Sequence, residues 1–300
     1  MSEKTVRVQR NNRTNVRFTI RAGMRVLSWL APQKAETLAL DLFATPRRPA
    51  LSADPEAGIA GHRFTIEAGG KRLAAWDWGR GPTVILTHGW SGHSGQMAAF
   101  VGPLVRAGYY VVAFDHPAHG QSEGTRATYL DVAAALTAVA RRVGPVHAVI
   151  GHSFGCTATI LSLSRGLPVE RAVLVAPPAE SPTYARGFGR ALGLTDARIE
   201  GMVERIRRAV GGDLSALDAR HLVAGLSTRA LVIHDEGDRE VPFANGQAIA
   251  AAWPGAQLEA VKGLGHNRLL RDPAVVARAV EFVRGHADLA DAPPAISLVR

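Results

Sequence analysis

From residue 83 onward the chain alternates short apolar runs with helix-compatible segments, and this alternation constrains the fold more than any other feature of the sequence. Continuous apolar runs of this length are typical of strands buried on both faces, as in a parallel sheet covered by crossover helices. The alternation therefore predicts an α/β fold with a doubly wound parallel sheet. The six predicted strands are residues 83–88, 109–115, 146–151, 171–176, 229–235 and 256–263.

Local patterns around these runs predict further elements. Apolar residues recur at helical spacing within 125–144. Asp272 is suited to cap a terminal helix whose first position is Pro273. Before the first run, two alternating segments hinge at Gly69 and Gly70, which predicts a β-hairpin.

Two parts of the chain fall outside the alternation and set the predicted domain boundaries. Residues 1–60 form a basic N-terminal extension with a helix. Residues 178–228 are far longer than a simple crossover, so we expect an inserted helical lid over the carboxyl edge of the sheet, where ligands bind in open α/β sheets. The core is then 61–177 and 229–290, and residues 291–300 form a C-terminal tail.

The helix of the extension has apolar residues that share parts of one face, namely Leu27, Leu30, Leu38 and Leu42. We expect this face to pack against the main domain. A membrane-surface helix and a homodimer contact are the alternatives.

The formal net charge of +9 does not predict a nucleic-acid partner. Residues 1–60 hold 10 basic and 5 acidic residues, and the rest of the chain is nearly balanced at 25 to 21. Cys156 is the one cysteine, which excludes an internal disulfide and favours the cytoplasm. No apolar run is long enough to predict a transmembrane segment.

The pattern G-x-S-x-G occurs twice, around Ser122 and around Ser153. Ser153 directly follows an apolar run and precedes a helix-compatible segment, which is the strand, sharp turn and helix that a nucleophile elbow needs. Ser122 is separated from its strand by "HPAHG", so we expect it to lie in a loop and to help start a helix near Thr125. Ser153 is therefore the predicted nucleophile.

A serine hydroxyl becomes a nucleophile only when a base takes its proton, and in this architecture the chain order is serine, acid, histidine. The histidines after Ser153 are His221, His234, His266 and His286. His266 stands in the glycine-flanked loop "KGLGHNRLL" between the last strand and the terminal helix, and it is the predicted base.

The predicted acid is Asp238, because Gly237 permits a turn that swings its carboxylate towards a neighbouring loop. Asp235 is the alternative, and it is also suited to capping that turn. The backbone N–H groups of Trp90 and Phe154 are the predicted oxyanion hole. The competing interpretation of the Trp90 segment is a plain glycine turn.

Five histidines are expected near the same edge of the sheet: residues 88, 93, 116, 119 and 152. They lack a pair of ligands at metal-binding spacing on one element, so we expect no metal site.

In order along the chain, "HGW", "DHPAHGQS", "GHSFG", "DEGDREVP" and "LGH" resemble the motifs of the α/β-hydrolase superfamily of serine hydrolases, in its esterase and lipase-like branch. The resemblance covers about residues 62–290. It implies an α/β-hydrolase fold with an eight-stranded, mostly parallel sheet, helices on both faces and an inserted lid. It also implies no cofactor, a triad of Ser153, Asp238 and His266, and a "DHPAHGQS" loop that lines the site without doing chemistry.

The expected function is hydrolysis of a carboxylic ester of a small acyl substrate through an acyl-enzyme. A thioesterase, lactonase, amidase, peptidase or acyltransferase would use the same triad. A non-catalytic ligand-binding protein on this scaffold is the alternative from another class, although such a protein has no need of all three groups in order.

Overall fold

The computed structural model describes residues 19–48, 61–213 and 217–285, and the predicted C-terminal tail lies outside them. The described residues form two compact units. The smaller unit contains residues 19–45 and 180–213, and the larger one contains the remaining described residues. The larger unit carries the sheet.

The sheet has eight strands, as the family resemblance implies. They are β1 His62–Ala68, β2 Lys71–Gly79, β3 Thr83–Thr87, β4 Tyr110–Phe114, β5 Val146–His152, β6 Val169–Val175, β7 Arg229–Asp235 and β8 Gln257–Val261. Their order is β1-β2-β4-β3-β5-β6-β7-β8. β2 runs in the opposite direction to the other seven strands, so the expected mostly parallel sheet is confirmed.

The helices of the described residues are α1 19–30, α2 Pro32–Phe43, α3 Ala98–Arg106, α4 Tyr129–Val143, α5 Phe154–Ser164, α6 Ser181–Leu192, α7 Asp196–Ala209, α8 Ala219–Val223, α9 Ala244–Ala252, α10 Gly265–Arg268 and α11 Pro273–Arg284. None of them is long and apolar enough to cross a bilayer. Asp272 caps α11 by accepting from the N–H groups of Ala274 and Val275, as predicted.

Helices cover both faces of the sheet, and the alternation of strand side chains decides which face each residue serves. Leu86 and Ile150 belong to the core under α3 and α11. Ile85 and Val149 belong to the opposite core under α4, α5, α8 and α9. Burial on both faces explains why these strands read as continuous apolar runs.

The predicted hairpin is confirmed, with β1 and β2 paired from His62–Asp77 to Ala68–Lys71. Its two-residue turn is Gly69 and Gly70, whose φ angles are +58° and +69°. Two consecutive positive φ angles match a type I′ turn, which glycine adopts without a steric penalty.

The smaller unit has its own apolar core, formed by α1, α2, α6 and α7. The helix predicted for the extension is broken at Ala31, whose φ and ψ are −148° and 72°, because a residue before proline is disfavoured in the helical region. The prediction that four leucines share one packed face is wrong. Leu27 packs into the core, whereas Leu30, Leu38 and Leu42 are exposed.

Glu36 on α2 is buried in the smaller unit, and two arginines of α7 neutralise it. Its carboxylate accepts from Arg198 Nη1 at 3.0 Å and from Arg205 Nε at 3.3 Å. A buried carboxylate without such partners is costly. These ion pairs join α2 of the extension to α7 of the insert within this unit.

Residues 178–228 contain helices, as expected, and the longest of them, α7, follows Thr195. The short helix α8, within the same range, packs against α5 and α9 beside the sheet. That the insert covers the sheet edge as a lid stays a prediction.

Candidate active site

Ser153 stands at the sharp turn between β5 and α5, and this is the strand, turn and helix predicted for it. Its φ and ψ are +50° and −115°, which is a strained conformation for a residue with a side chain. The turn fits only because Gly155 lacks a Cβ, which would lie 2.5 Å from the Thr87 carbonyl oxygen. The tight turn projects Ser153 beyond the carboxyl end of β5.

The Ser122 side chain is buried and hydrogen-bonded to the backbone of two other segments. It is 1% exposed, its Oγ donates to the Asp115 carbonyl at 2.6 Å, and it accepts from the Ala74 N–H at 3.0 Å. The expectation that it helps start a helix near Thr125 is wrong. The helix begins at Tyr129, where Thr128 and Asp131 form a capping box, and the Ser122 hydroxyl is held by the end of β4 instead.

Asp115 joins the loops that follow β3 and β4. One carboxylate oxygen accepts from the Ser94 N–H and the other from the Gln121 N–H, each at 2.7 Å. Two charge-assisted hydrogen bonds from opposite loops fix their relative position.

Arg48 supports the loop after β4 from outside. Its guanidinium donates to the carbonyl oxygens of Ala118, Ser122 and Gly124 at 3.0, 2.8 and 2.7 Å. Sequence analysis assigned this residue only to the basic extension and missed its contacts. Nothing in the local sequence identifies three carbonyls about seventy residues away as partners.

The predicted base and acid are hydrogen-bonded to each other. His266, in α10, lies with Nδ1 2.7 Å from Asp238 Oδ2. Both side chains are almost fully buried. Asp238 Oδ1 accepts from the N–H groups of Glu240 at 2.8 Å and Val241 at 3.0 Å. The carboxylate is thus anchored by backbone donors on one oxygen and faces the imidazole with the other.

The Asp238 carboxyl is held in its ionised form. Burial alone raises the pKa of Asp238, but the hydrogen bonds from His234, His266 and the Val241 N–H outweigh burial and hold this pKa well below its usual range. An ionised Asp238 accepts from His266 Nδ1–H, and this contact favours the neutral tautomer whose lone pair is on Nε2. That tautomer can accept a proton from a hydroxyl.

Both carboxylate oxygens of Asp235, the alternative acid, accept hydrogen bonds from backbone N–H groups. Oδ1 accepts from the Gly237 N–H and Oδ2 from the Leu264 N–H, each at 2.7 Å. The second bond ties the end of β7 to the loop that carries His266. Asp235 therefore caps the turn and positions that loop.

His152, which precedes Ser153, links the elbow to the same loop. Its Nε2 donates to the His266 carbonyl at 3.1 Å, and the two ring centroids lie 4.8 Å apart. Burial, aided by His266, lowers the pKa of His152 to about 3, so the ring is a neutral donor. From the sequence this histidine is only ordinary for the fold, although its place inside "GHSFG" makes it a neighbour of the predicted nucleophile.

Trp90 and Phe154 meet at the other side of the elbow. Their ring centroids lie 4.8 Å apart, and Tyr129 packs on Phe154 at 4.5 Å. Phe154 is the first residue of α5, so its N–H is among those a helix cannot pair internally. The turn after β3 and the start of α5 are thus in contact.

Four buried histidines surround these elements and are held neutral: His88, His116, His119 and His152. Burial lowers the pKa of His88 and His116 well below the ordinary 6.5, and lowers that of His119 to about 4. The His88 and His116 rings stack at 3.7 Å, and His88 Nε2 accepts from the His116 N–H at 3.0 Å. Among the residues with described positions, no group of three or more histidine, cysteine or acidic side chains is arranged to hold a metal.

The other histidines after Ser153 lie elsewhere. The His221 side chain is 73% exposed on α8, and His286 is outside the described residues. His234 is fully buried, with Nε2 2.9 Å from the Val241 carbonyl and 3.5 Å from Asp238 Oδ2. His234 therefore helps to hold the predicted acid, Asp238, and the sequence signal for this contact is their spacing of four residues.

The comparisons with known proteins agree with this architecture. A family model described as the alpha/beta hydrolase family matches residues 84–279, more than half of the chain. A pimeloyl-[acyl-carrier protein] methyl ester esterase of Xanthomonas campestris is 27% identical, covering 67% of this chain and 94% of the relative. A dihydrolipoyllysine-residue acetyltransferase component of the acetoin cleaving system of Cupriavidus necator is also 27% identical, covering 80% and 74%.

A solved structure with the same fold is Est1E of Butyrivibrio proteoclasticus with bound ferulic acid. It superposes with a TM-score of 0.60 at 20% identity and covers 74% of this chain and 96% of its own. At this identity the similarity establishes the fold.

Proposed function

Because the chain belongs to the alpha/beta hydrolase family, we propose that it hydrolyses carboxylic esters of small acyl substrates through an acyl-enzyme intermediate. The observation that carries the proposal is the 2.7 Å hydrogen bond between His266 Nδ1 and Asp238 Oδ2. It belongs to a buried pair whose loop is tied, through His152, to the end of strand β5, directly before Ser153.

Each group has one role in the proposed reaction. Ser153 Oγ attacks the ester carbonyl carbon while His266 Nε2 takes the hydroxyl proton. Asp238 keeps the His266 proton on Nδ1 and stabilises the imidazolium that forms. His266 then gives its proton to the departing alcohol, and a water molecule activated by the same Nε2 releases the acid.

The negative charge that develops on the carbonyl oxygen needs donors that are already in place. We assign these to the backbone N–H groups of Trp90 and Phe154. The contact between the two rings and the position of Phe154 at the start of α5 support this assignment. One such donor contributes about 3 kcal/mol in the transition state.

The experiment is to compare the wild-type protein with Ser153→Ala on a short p-nitrophenyl ester. We expect the substitution to abolish turnover without lowering the melting temperature. A fluorophosphonate should label Ser153 and leave Ser122 unlabelled, which peptide mapping of the modified protein would test. Retained turnover in Ser153→Ala, or label on another serine, would overturn the proposal.

The acyl donor and acceptor are tested separately, because the same triad serves other acyl transfers. A panel with one acyl group presented as an ester, a thioester, a lactone and an amide ranks the leaving groups. We expect the ester to have the highest kcat/KM. The panel is repeated with an added alcohol or thiol acceptor, and transfer that outruns hydrolysis would make the protein an acyltransferase.

A further inference from the structure

The exposed large apolar side chains are concentrated in one short segment. Seven such side chains occur among the described residues, and six of them lie within 20–42. These six are Ile20, Val26, Trp29, Leu30, Leu38 and Leu42. Scattered exposed apolar residues need no explanation, but a group of this kind marks an interaction surface.

Helix α1 carries the most exposed part of this group. Val26, Trp29 and Leu30 are 57%, 83% and 66% exposed, and their spacing of three and four residues places them on one stripe. Met24 and Leu27 lie on the other side of the helix, in the core of the smaller unit. The helix thus has one apolar face packed and a second apolar face in contact with solvent.

The described residues next to this stripe include exposed basic side chains. Arg21 and Arg25 are exposed on the same helix, and Lys34 is exposed on α2. Residues 1–31 contain seven basic residues and one acidic residue, a net charge of +6. An apolar helical face with an exposed tryptophan next to arginines is the composition of helices that lie in a membrane interface.

We propose that the stripe of Val26, Trp29 and Leu30 docks onto an anionic lipid surface, with Arg21 and Arg25 at the headgroups. A second copy of this chain fits less well, because a two-fold interface would bring together two α1 helices that each carry Arg21 and Arg25 and no acidic residue to pair with them. An anionic bilayer instead gains from each basic residue near its surface. This inference concerns the smaller unit alone and does not rest on the proposed reaction.

Vesicle flotation tests the proposal with the full-length protein. One set of vesicles is phosphatidylcholine alone, and the other contains a minority of phosphatidylglycerol. We expect the protein to float with the anionic vesicles, much less with the neutral ones, and to dissociate as salt is added. The double variant Trp29→Glu/Leu30→Glu should reduce binding by about a hundredfold or more, since it removes two membrane-buried side chains.

Two further variants separate apolar from electrostatic contributions. Arg21→Gln/Arg25→Gln should lower binding to anionic vesicles by about 30-fold, at roughly fivefold for each charge. Leu258→Glu is the matched control, because Leu258 is the one large exposed apolar residue that the structure describes outside 20–42, and it should bind as wild type. Because Trp29 and Leu30 are 83% and 66% exposed and both arginines are exposed, the α1 variants should keep the wild-type melting temperature. Leu258 is 39% exposed, so the fold of Leu258→Glu is checked by its own melting curve.

Three results would overturn the inference. They are absence of flotation with anionic vesicles, equal flotation with neutral vesicles, and equal losses in the Trp29→Glu/Leu30→Glu and Leu258→Glu proteins. If flotation is absent and the tryptophan variant instead converts a dimer to a monomer in analytical ultracentrifugation, the stripe is a contact between copies of this chain.

Discussion

Replacing Asp238 by asparagine tests the proposed acid, because it changes only one carboxylate oxygen into an NH₂ group. The structure determines which way the new amide faces. Two backbone N–H groups, from Glu240 and Val241, donate to Oδ1, and only an oxygen can accept both. The reversed amide would leave both buried donors unpaired, at a cost of about 1–3 kcal/mol each. The NH₂ group therefore occupies the Oδ2 position, 2.7 Å from His266 Nδ1 in the parent.

An NH₂ group at that position donates to His266 Nδ1, so the imidazole must carry its proton on Nε2. This tautomer cannot accept the proton of the Ser153 hydroxyl. A wrong tautomer in a triad of this kind lowers kcat about ten thousandfold, which corresponds to about 5.4 kcal/mol in the activation barrier. We expect that loss for Asp238→Asn, measured as kcat on a p-nitrophenyl ester at saturation.

Asp235→Asn is the matched control. Each Asp235 oxygen accepts one backbone N–H, so the amide leaves one donor unpaired and lowers the free energy of unfolding by about 1–3 kcal/mol. The His266 tautomer is not affected, and kcat should stay within about tenfold of the parent. A folded Asp238→Asn protein with near-parental kcat would refute the reasoning, and a large loss confined to Asp235→Asn would move the acid there.

Three more predictions follow from contacts around the site. Ser122→Ala should lower the free energy of unfolding by about 1–3 kcal/mol, because it removes a buried donor and acceptor, and it should leave kcat of the folded protein unchanged; a collapse of kcat alone would contradict this. Gly155→Ala should destabilise by about 1–3 kcal/mol or more, because its Cβ meets backbone oxygen at 2.5 Å. Gly187→Ala is the control, because Gly187 lies on α6 with nothing within 4 Å of the new Cβ, and it should stabilise the protein by up to about 1 kcal/mol. Equal melting temperatures for Gly155→Ala and Gly187→Ala would show that the close approach at Gly155 is not what limits its substitution. Thermal stability should fall as the pH drops from 6.5 towards 4, because the unfolded chain protonates the four buried histidines that the folded state keeps neutral. Above pH 6.5 these histidines are neutral in both the folded and the unfolded chain, so they add no pH dependence. Below pH 6.5 the free energy of unfolding falls with a slope that approaches about 1.4 kcal/mol per pH unit for each histidine. A melting temperature that stays constant from pH 6.5 to 4 would contradict the assignment.

Sequence patterns predicted the sheet well because its strands are buried on both faces. The run 229–235 and strand Arg229–Asp235 coincide, and the hairpin turn follows from two adjacent glycines. These features depend on neighbours in the chain. The break at Ala31 was also local, since Pro32 restricts the residue before it, but the apolar period of the leucines obscured that signal.

Contacts between distant parts of the chain could not be predicted in this way. Arg48 holds carbonyls of a loop 70 or more residues away, and His152 donates to the carbonyl of His266 across 114 residues. The environments of Asp235 and Asp238 differ through backbone donors that are arranged only in the folded chain. Sequence analysis named both carboxylates but had no means to see which atoms surround them.

The strand order predicts which strand of this protein opens first on warming. Ser153 follows β5, in the middle of the sheet. His266 follows β8, which is an edge strand and has no fully buried residue. Marginal strands open at a lower free energy than central ones, so amide hydrogens of Gln257–Val261 should exchange faster than those of Val146–His152. Gentle warming would then loosen the segment that carries His266, the proposed base, before the central strands open, and the proposed activity would be lost ahead of global unfolding.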